Sequence, residues 1–290
     1  MKVFIAGADG QVGRALHRQA SMRGWQVMAV DRDDLDITDA DAVSATVRSY
    51  APGVVINAAA YTAVDKAESE PDLAYAVNRD GPANLAAACA KLDIPLVHYS
   101  TDYVFDGSKA GAYSEADPVA PLGVYGASKL AGEQAVRSAC AKYLILRTSW
   151  VFSAVRHNFV KTMLRLGRER EQLRVVADQY GKPTAATELA RLTCEILTKA
   201  EGRWGIYHLA QSPVTSWHGL AEVIFAEARR QGADLKVTEV QAITTSEYPT
   251  PAGRPANSEL NCELLEATFG ISIRPWQESL AEVIRELRHA

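Results

Sequence analysis

The chain has 290 residues, of which 48% are hydrophobic and 23% charged, and 31 Lys and Arg against 35 Asp and Glu give a formal charge of −4. This composition is typical of a globular protein and excludes collagen-like and disordered classes. The slightly acidic balance argues against a basic nucleic-acid surface and against a polybasic membrane anchor, so a small molecule is the expected partner.

The cysteines and the N-terminus indicate a cytoplasmic protein. The four cysteines lie far apart, without a Cys-x-x-Cys pair or a histidine at metal-ligand spacing, and are predicted to be reduced, mostly buried thiols: Cys89, Cys140, Cys194 and Cys262. The apolar run at residues 3–8 is shorter than the core of a signal peptide. No apolar run has the length of a membrane span.

Short apolar runs alternate with helical patterns through the first 180 residues. Strands are predicted at residues 3–6, 27–30, 54–56, 96–99, 143–146 and 173–176, and helices at 11–23, 39–50, 71–92, 124–141 and 158–171. Strands that are apolar throughout and separated by helices imply a parallel sheet covered on both faces. The predicted fold is therefore α/β, a doubly wound parallel sheet of Rossmann type.

The regular alternation weakens after about residue 183. Helices are predicted at residues 187–198 and 217–231 on either side of a strand at 206–209, and further helices at 258–269 and 276–289 follow a Pro/Gly-rich stretch at 248–257. We predict that residues 1–150 bind a dinucleotide, that the sheet extends to about residue 183, and that residues 184–290 form a smaller, mainly substrate-binding α/β lobe over the carboxyl edge of the sheet.

A glycine-rich turn follows the first predicted strand and opens the first predicted helix. In such a turn the glycines permit a tight bend, close approach of a pyrophosphate and close helix packing, and the helix N-terminus faces the phosphates. A purely structural glycine turn is the alternative. The predicted cofactor contacts are Gly7, Gly10, Gln11, Val12 and Gly13.

Further cofactor contacts are predicted at the ends of the next strands. Asp31 lies about 20 residues after the turn, where a carboxylate accepts hydrogen bonds from ribose hydroxyls. Arg32 beside it suits a 2′-phosphate instead, so NAD and NADP both remain open. Other predicted contacts are Asp36 and Ile37 near the adenine, and Ala60, Tyr61, Thr62 and Tyr99 along the dinucleotide; the alanines fit packing under a helix equally well.

Tyr125 and Lys129 occupy positions i and i+4 of one predicted helix and therefore share a face. The ammonium can lower the pKa of the phenol, and a tyrosine tuned in this way can pass a proton to a carbonyl oxygen as hydride arrives. A solvated helix face is the simpler interpretation of this pair alone. Thr101 at the end of the fourth predicted strand adds a hydroxyl that can reach the same cleft, and it favours the catalytic interpretation.

The order of glycine turn, strand-end threonine and Tyr-x-x-x-Lys resembles the extended short-chain dehydrogenase/reductase family over essentially the whole chain. The similarity is sharpest to its reductases of 4-keto sugar nucleotides, in the segments 58–68, 100–105, 147–151, 178–181 and 254–258. The resemblance implies reduction of the C4 ketone of dTDP-4-dehydro-L-rhamnose to dTDP-L-rhamnose, the last step of dTDP-L-rhamnose synthesis. The implied cofactor is NADPH, with NADH as the alternative.

The resemblance also implies roles for individual residues. Tyr125 would be the proton donor, Lys129 would hold the nicotinamide ribose, and Thr101 would position the ketone. Asp102 and Trp150 match positions that contact the sugar nucleotide, and Arg254 would pair with its diphosphate.

One departure from the family concerns magnesium. Some members form a magnesium-linked dimer through an acidic residue just after the third glycine, where this chain has Arg14 and Ala15. We therefore expect no metal, and leave a homodimer open.

Two alternatives to a reductase remain. One is a nucleotide-sugar dehydratase or epimerase, which is disfavoured because Tyr103 stands where dehydratases carry a glutamate. The other is a non-catalytic NADP-binding regulatory subunit of the methionine adenosyltransferase type.

Overall fold

The computed structural model describes residues 1–289 and is built on a six-stranded parallel sheet with strand order β10-β5-β4-β3-β1-β2. Three two-stranded pairs, β11-β8, β12-β7 and β6-β9, lie outside it. The strands are β1 (Lys2–Ala6), β2 (Gln26–Val30), β3 (Val54–Asn57), β4 (Leu96–Thr101), β5 (Tyr143–Thr148), β6 (Val151–Phe152), β7 (Gln172–Val176), β8 (Tyr180–Gly181), β9 (Thr184–Ala185), β10 (Gly205–His208), β11 (Thr215–Ser216) and β12 (Glu239–Ile243).

Helices connect the strands in the order that the sequence predicts. They are α1 (Gln11–Met22), α2 (Ala40–Tyr50), α3 (Val64–Ala67), α4 (Pro71–Tyr75), α5 (Gly81–Leu92), α6 (Val124–Ala139), α7 (Phe159–Glu169), α8 (Ala186–Leu197), α9 (Trp217–Arg230), α10 (Glu263–Phe269) and α11 (Trp276–His289). A π-helical turn, Ala76–Asp80, joins α4 to α5 and interrupts the single helix predicted at 71–92. For the other helices predicted in the first 180 residues, predicted and observed ends differ by at most two residues.

The two faces of the sheet are buried under different helices, which explains why its strands are apolar throughout. Val3 and Ile5 of β1 pack in a core with α1 and α8, whereas Phe4 and Ala6 pack on the opposite face in a core with α2, α5 and α6. Because side chains alternate along a strand, each strand supplies both cores. The predicted doubly wound α/β fold is confirmed.

A second lobe has its own core, formed by α7, β7, α9, β12 and α11 around Phe225 and Trp276. The predicted extension of the central sheet through residues 173–176 is wrong, because β7 pairs in parallel with β12. The sixth strand of the central sheet is instead β10, which follows α8 and pairs with β5. A strand pattern indicates that a segment is extended, but it does not identify the neighbouring strand.

The helix predicted at 258–269 begins only at Glu263. The preceding residues are held in a loop by side chains, since the amide of Asn257 donates to the carbonyl oxygens of Lys109 and Gly111. Asn side chains that bond to backbone compete with helix formation in this way.

Two simpler expectations concern cysteines and membrane spans. The four cysteines are free and buried, as predicted. Within residues 1–289, none of the helices combines the length and the apolar character that crossing a membrane would require.

Candidate active site

The glycine turn between β1 and α1 has the close backbone packing that its sequence predicts. Gly7 adopts a φ of +78°, and its N–H and that of Ala8 donate to the carbonyl oxygen of Val30 at 2.9 and 3.0 Å. A Cβ on Gly13 would collide with the carbonyl oxygen of Gly7. Gly10 is the N-cap of α1 and supplies no side-chain cap, so the first N–H groups of the helix are left to a ligand.

A cavity of about 670 Å³ opens at the carboxyl edge of the sheet beside this turn. Thirteen of the fourteen predicted cofactor residues line it: Gly7, Gly10, Gln11, Val12, Asp31, Asp36, Ile37, Ala60, Tyr61, Thr62, Tyr99, Tyr125 and Lys129. The exception is Gly13, which packs on Gly7 behind the cavity wall. The cavity therefore joins the glycine turn to the Tyr-Lys pair.

The far end of the cavity carries charges of both signs. Asp31 and Arg32 both line it, so the acidic and basic alternatives for the ribose face the same space. Asp36 is held by Thr38, whose backbone N–H and hydroxyl donate to one carboxylate oxygen at 2.9 and 2.8 Å, and these bonds lower the pKa of Asp36. Asp36 is therefore a fixed carboxylate at neutral pH.

Lys129 is buried one helical turn after Tyr125 on α6. Its side chain is 2% exposed and its Nζ donates to the carbonyl oxygen of Tyr99 at 2.6 Å. Burial lowers the pKa of Lys129 to about 8, against the opposing influence of Glu133. The ammonium therefore remains the main form at neutral pH.

The phenol of Tyr125 differs from the sequence-based expectation. Burial raises its pKa to about 12, although the Thr101 hydroxyl acts in the opposite direction, and Lys129 is not among the causes of the shift. The predicted lowering of the Tyr125 pKa by Lys129 is thus not seen in the structure of the chain. The desolvation of the phenolate dominates the shift, and the negative charge of Asp102 adds to it.

Thr101 and Asp102 end β4 directly beside Tyr125 and are almost fully buried. The Thr101 hydroxyl donates to Oδ1 of Asp102 at 2.9 Å, and the second carboxylate oxygen of Asp102 has no protein partner among residues 1–289. Burial raises the pKa of Asp102 to about 6, opposed by the nearby Ser258 and Thr101 hydroxyls. The second carboxylate oxygen of Asp102 is therefore a hydrogen-bond acceptor that is shielded from solvent next to Tyr125.

The two other predicted substrate residues are engaged with protein neighbours. Trp150, at a φ of +48°, stacks on Trp217 with ring centroids 3.6 Å apart and planes inclined by 8°. Arg254 forms a bidentate ion pair with Asp65, both distances being 2.8 Å. Sugar binding by Trp150 and diphosphate binding by Arg254 stay predictions, since both side chains are already held by protein partners.

Three polar residues that sequence reasoning missed hold the catalytic helix. Glu133 forms a buried ion pair with Arg147 of β5, at 2.9 and 2.8 Å, and accepts from Ser100 of β4 at 2.5 Å. The fully buried Asn78 of the π-helical turn donates to the Ser128 hydroxyl at 3.0 Å and binds both backbone groups of Tyr61. Their partners are distant in sequence, so no local spacing could have identified them.

The third missed residue is Glu68, which follows α3. Its Oε1 accepts from the backbone N–H of Val124, the first residue of α6, at 2.8 Å. Gly123 offers no side chain to cap this helix. Glu68 therefore supplies the missing cap from 56 residues earlier in the chain.

No cluster of three or more His, Cys, Asp or Glu side chains suited to a metal ion occurs within residues 1–289. His98, whose position in a core strand predicts a structural histidine and not a catalyst, is fully buried in β4, where Nδ1 lies 3.1 Å from the amide nitrogen of Asn57.

The model of a known family, the RmlD substrate binding domain, matches residues 1–289. The chain belongs to this family. Among curated relatives, dTDP-4-dehydrorhamnose reductase of Burkholderia thailandensis is 45% identical and that of Escherichia coli K12 42% identical, with at least 98% of each chain covered. The family predicted from the sequence is therefore confirmed.

Solved structures of the same enzyme share the fold over nearly the full chain. A dTDP-4-dehydrorhamnose reductase from Clostridium acetobutylicum has a TM-score of 0.94 at 42% identity, covering 99% of this chain and 100% of that one. One from Bacillus anthracis, in complex with NADP, has a TM-score of 0.92 at 38% identity, covering 98% and 99%. A UDP-glucose 4-epimerase from Thermus thermophilus shares the fold at 22% identity.

Proposed function

We propose that this chain reduces the C4 ketone of dTDP-4-dehydro-L-rhamnose to dTDP-L-rhamnose, with NADPH as cofactor. The observation that carries the proposal is one cavity that runs from the glycine turn to Tyr125 and Lys129, with Thr101 and Asp102 buried beside its end. The full-length similarity to dTDP-4-dehydrorhamnose reductases supports the substrate.

The residues of the cavity fit a nicotinamide dinucleotide. The uncapped N-terminus of α1 suits its diphosphate, Asp31 suits a ribose, and Arg32 suits a 2′-phosphate. Lys129 and Tyr99 line the opposite end, next to the proposed proton donor. When bound, the reduced cofactor supplies a hydride for the carbonyl carbon.

The chain's own residues supply the proton and orient the ketone. Tyr125 donates its phenolic proton to the ketone oxygen, and its raised pKa keeps the phenol in the protonated form that a donor needs. Thr101 turns its hydroxyl from Oδ1 of Asp102 to the same oxygen, and Asp102 then accepts from a sugar hydroxyl. The phenolate left after proton transfer must be reprotonated from solvent, and Lys129, which is mainly cationic at neutral pH, lines the same cavity as Tyr125.

The two alternative functions lack a supporting feature. A dehydratase needs an acid to expel the C6 hydroxyl, and the position after Asp102 is Tyr103, whose ring packs edge-on against Tyr125 with centroids 5.5 Å apart. A non-catalytic subunit would need neither a buried Lys129 nor a buried carboxylate acceptor at Asp102. We therefore keep the reductase as the proposal.

The proposal extends to the organisation of the chain. Residues 1–150 are proposed mainly to bind the dinucleotide, and residues 184–290 mainly to bind the sugar nucleotide. Two elements of the second range belong to the central sheet instead: β10 is one of its strands, and α8 packs on one of its faces. The reaction is proposed to occur in the cytoplasm, with a homodimer that needs no metal. Sedimentation with and without EDTA tests the dimer.

The test combines an assay with one variant. With enzymatically prepared dTDP-4-dehydrorhamnose, the chain should oxidise one NADPH per dTDP-L-rhamnose formed, and Tyr125→Phe should lower turnover by about 100-fold or more. The Kd for NADPH should change by no more than about twofold in that variant, because the ring remains. Wild-type turnover in Tyr125→Phe would refute the proton donor, and NADPH binding without any oxidation would refute the reductase.

A further inference from the structure

Arg156 stands in the segment between β6 and α7 with a φ of +58°, in the left-handed region that favours glycine. An arginine there is strained, and such strain persists only where surrounding contacts hold it. Its side chain is 52% exposed, so core packing does not provide those contacts. Polar partners must hold it.

Those partners belong to Asp9, in the middle of the glycine turn. Nε of Arg156 donates to the carbonyl oxygen of Asp9 at 2.8 Å, and Nη2 lies 3.3 Å from its Oδ2. Arg14 of α1 makes the same two kinds of contact with Asp9, at 3.2 Å each. Two arginines thus converge on one exposed carboxylate.

The two arginines differ in what else they face. Arg156 lines the cofactor cavity together with Gly10, Gln11 and Val12, whereas Arg14 does not. Within residues 1–289, Nη1 of Arg156 donates to no protein group. Arg156 therefore has one N–H edge without a protein partner among the described residues and borders the cavity beside the N-terminus of α1, where phosphate oxygens bind best, as well as a second cavity next to Lys161.

We infer that Arg156 is a further cofactor-binding residue, which pairs through Nη1 with the diphosphate of the bound dinucleotide while Asp9 holds the rest of the guanidinium. A guanidinium presents its N–H groups in a planar fork, so one edge can hold Asp9 and the other a phosphate. The inference rests on the proposed function only for the class of cofactor. The side chain of Arg156 reaches the glycine turn, where it contacts Asp9.

A competing explanation gives Arg156 a purely screening role. Asp9 places a negative charge beside an anionic ligand, and Arg156 could help only by neutralising that charge. Screening is a role that Arg14 shares, whereas direct binding belongs to Arg156 alone. Removal of the Asp9 charge separates the two explanations, because screening has nothing left to do in Asp9→Asn.

The experiment measures the Kd for NADPH by fluorescence titration, without any sugar nucleotide. Arg156→Ala should raise the Kd by about tenfold or more, as expected for the loss of a charge-assisted contact, and the matched variant Arg14→Ala should change it by less than about twofold. Arg156→Gly, which relieves the backbone strain and so guards against misfolding, should show the same loss as Arg156→Ala. In an Asp9→Asn background, Arg156→Ala should keep its loss.

Equal effects of Arg156→Ala and Arg14→Ala, or equal Kd values for Asp9→Asn and Asp9→Asn/Arg156→Ala, would overturn the inference. Because the readout is NADPH binding alone, it is independent of the proposed reaction. Failure to reduce the ketone would leave the Arg156 result standing, and an unchanged Kd in Arg156→Ala would leave the reductase standing.

Discussion

The buried carboxylate of Asp102 destabilises the fold but provides a hydrogen-bond acceptor for the substrate. Its carboxyl is 2% exposed, one of its oxygens has no protein partner among the described residues, and burial raises its pKa to about 6. The ionised form is therefore less stable in the folded chain than in the unfolded one. Above pH 6 the fold carries a desolvated acceptor that a sugar hydroxyl can satisfy.

Asp102→Asn should stabilise the chain and impair the enzyme. A folded pKa above the unfolded one means that the contribution of Asp102 to stability falls as pH rises from about 4 to 6 and then stays low. Asp102→Asn should therefore increase the free energy of unfolding in urea by roughly 1–3 kcal/mol at pH 7.5, and by progressively less as pH falls toward 4. The exposed control Asp33→Asn should show no such difference, and an Asp102→Asn chain less stable than wild type at pH 7.5 would contradict the argument.

At the scale of elements, the short helix α3 and the residue after it contact both the segment of Arg254 and the N-terminus of α6. Asp65 on α3 forms the ion pair with Arg254 from the segment after β12, and Glu68 caps the N-terminus of α6. A Cβ on Gly123 would come within 2.5 Å of Oε1 of Glu68, so glycine at the N-cap position allows this close approach. Tyr125 is the second residue of the helix fixed in this way.

Glu68→Ala should weaken the start of α6. Loss of a cap typically costs about 0.5–2 kcal/mol, and we expect a decrease of about 1 kcal/mol in the free energy of unfolding, with a several-fold decrease in kcat because Tyr125 loses its anchor. Glu68→Gln keeps an acceptor oxygen and serves as the control, with most of both values retained. If the two variants behave alike, the cap is not what holds the helix.

The elements that sequence predicts are those encoded by local patterns. Apolar strands and the helices between them follow from residues close together in the chain, as do the glycine turn and the spacing of Tyr125 and Lys129. The pairing of β7 with β12, the cap from Glu68 and the Asn78 bonds join residues that are far apart in sequence. Arg254 was predictable as a cation but not as the partner of Asp65, because only the fold brings them together.

Whole-molecule stability should depend on two buried histidines. Burial lowers the pKa of His208 to about 3, and burial together with the nearby Lys129 lowers that of His98 well below its usual value. Both rings therefore stay neutral in the folded chain and become protonated below about pH 6.5 only on unfolding. Stability is thus lost as pH falls below about 6.5.

We expect the free energy of unfolding to fall by roughly 2 kcal/mol between pH 7 and pH 5, since each histidine contributes up to about 1.4 kcal/mol per pH unit and Asp102 partly opposes them. Urea denaturation at the two pH values measures this difference. In His208→Gln most of the difference should disappear, whatever the absolute stability of that variant, because Asp102 still opposes the one remaining histidine. A wild-type chain equally stable at both pH values would show that the rings are protonated without cost.

The position of β10 has a consequence for how this chain can be divided. The polypeptide leaves the central sheet after β5, builds α7 and β7 of the second lobe, returns to lay down α8 and β10, and leaves again for α9, β12 and α11. A single cut therefore cannot release either lobe intact. A fragment that ends at residue 183 would lack the edge strand β10 and the helix α8, which packs on α1. Neither half is therefore expected to fold by itself or in another protein.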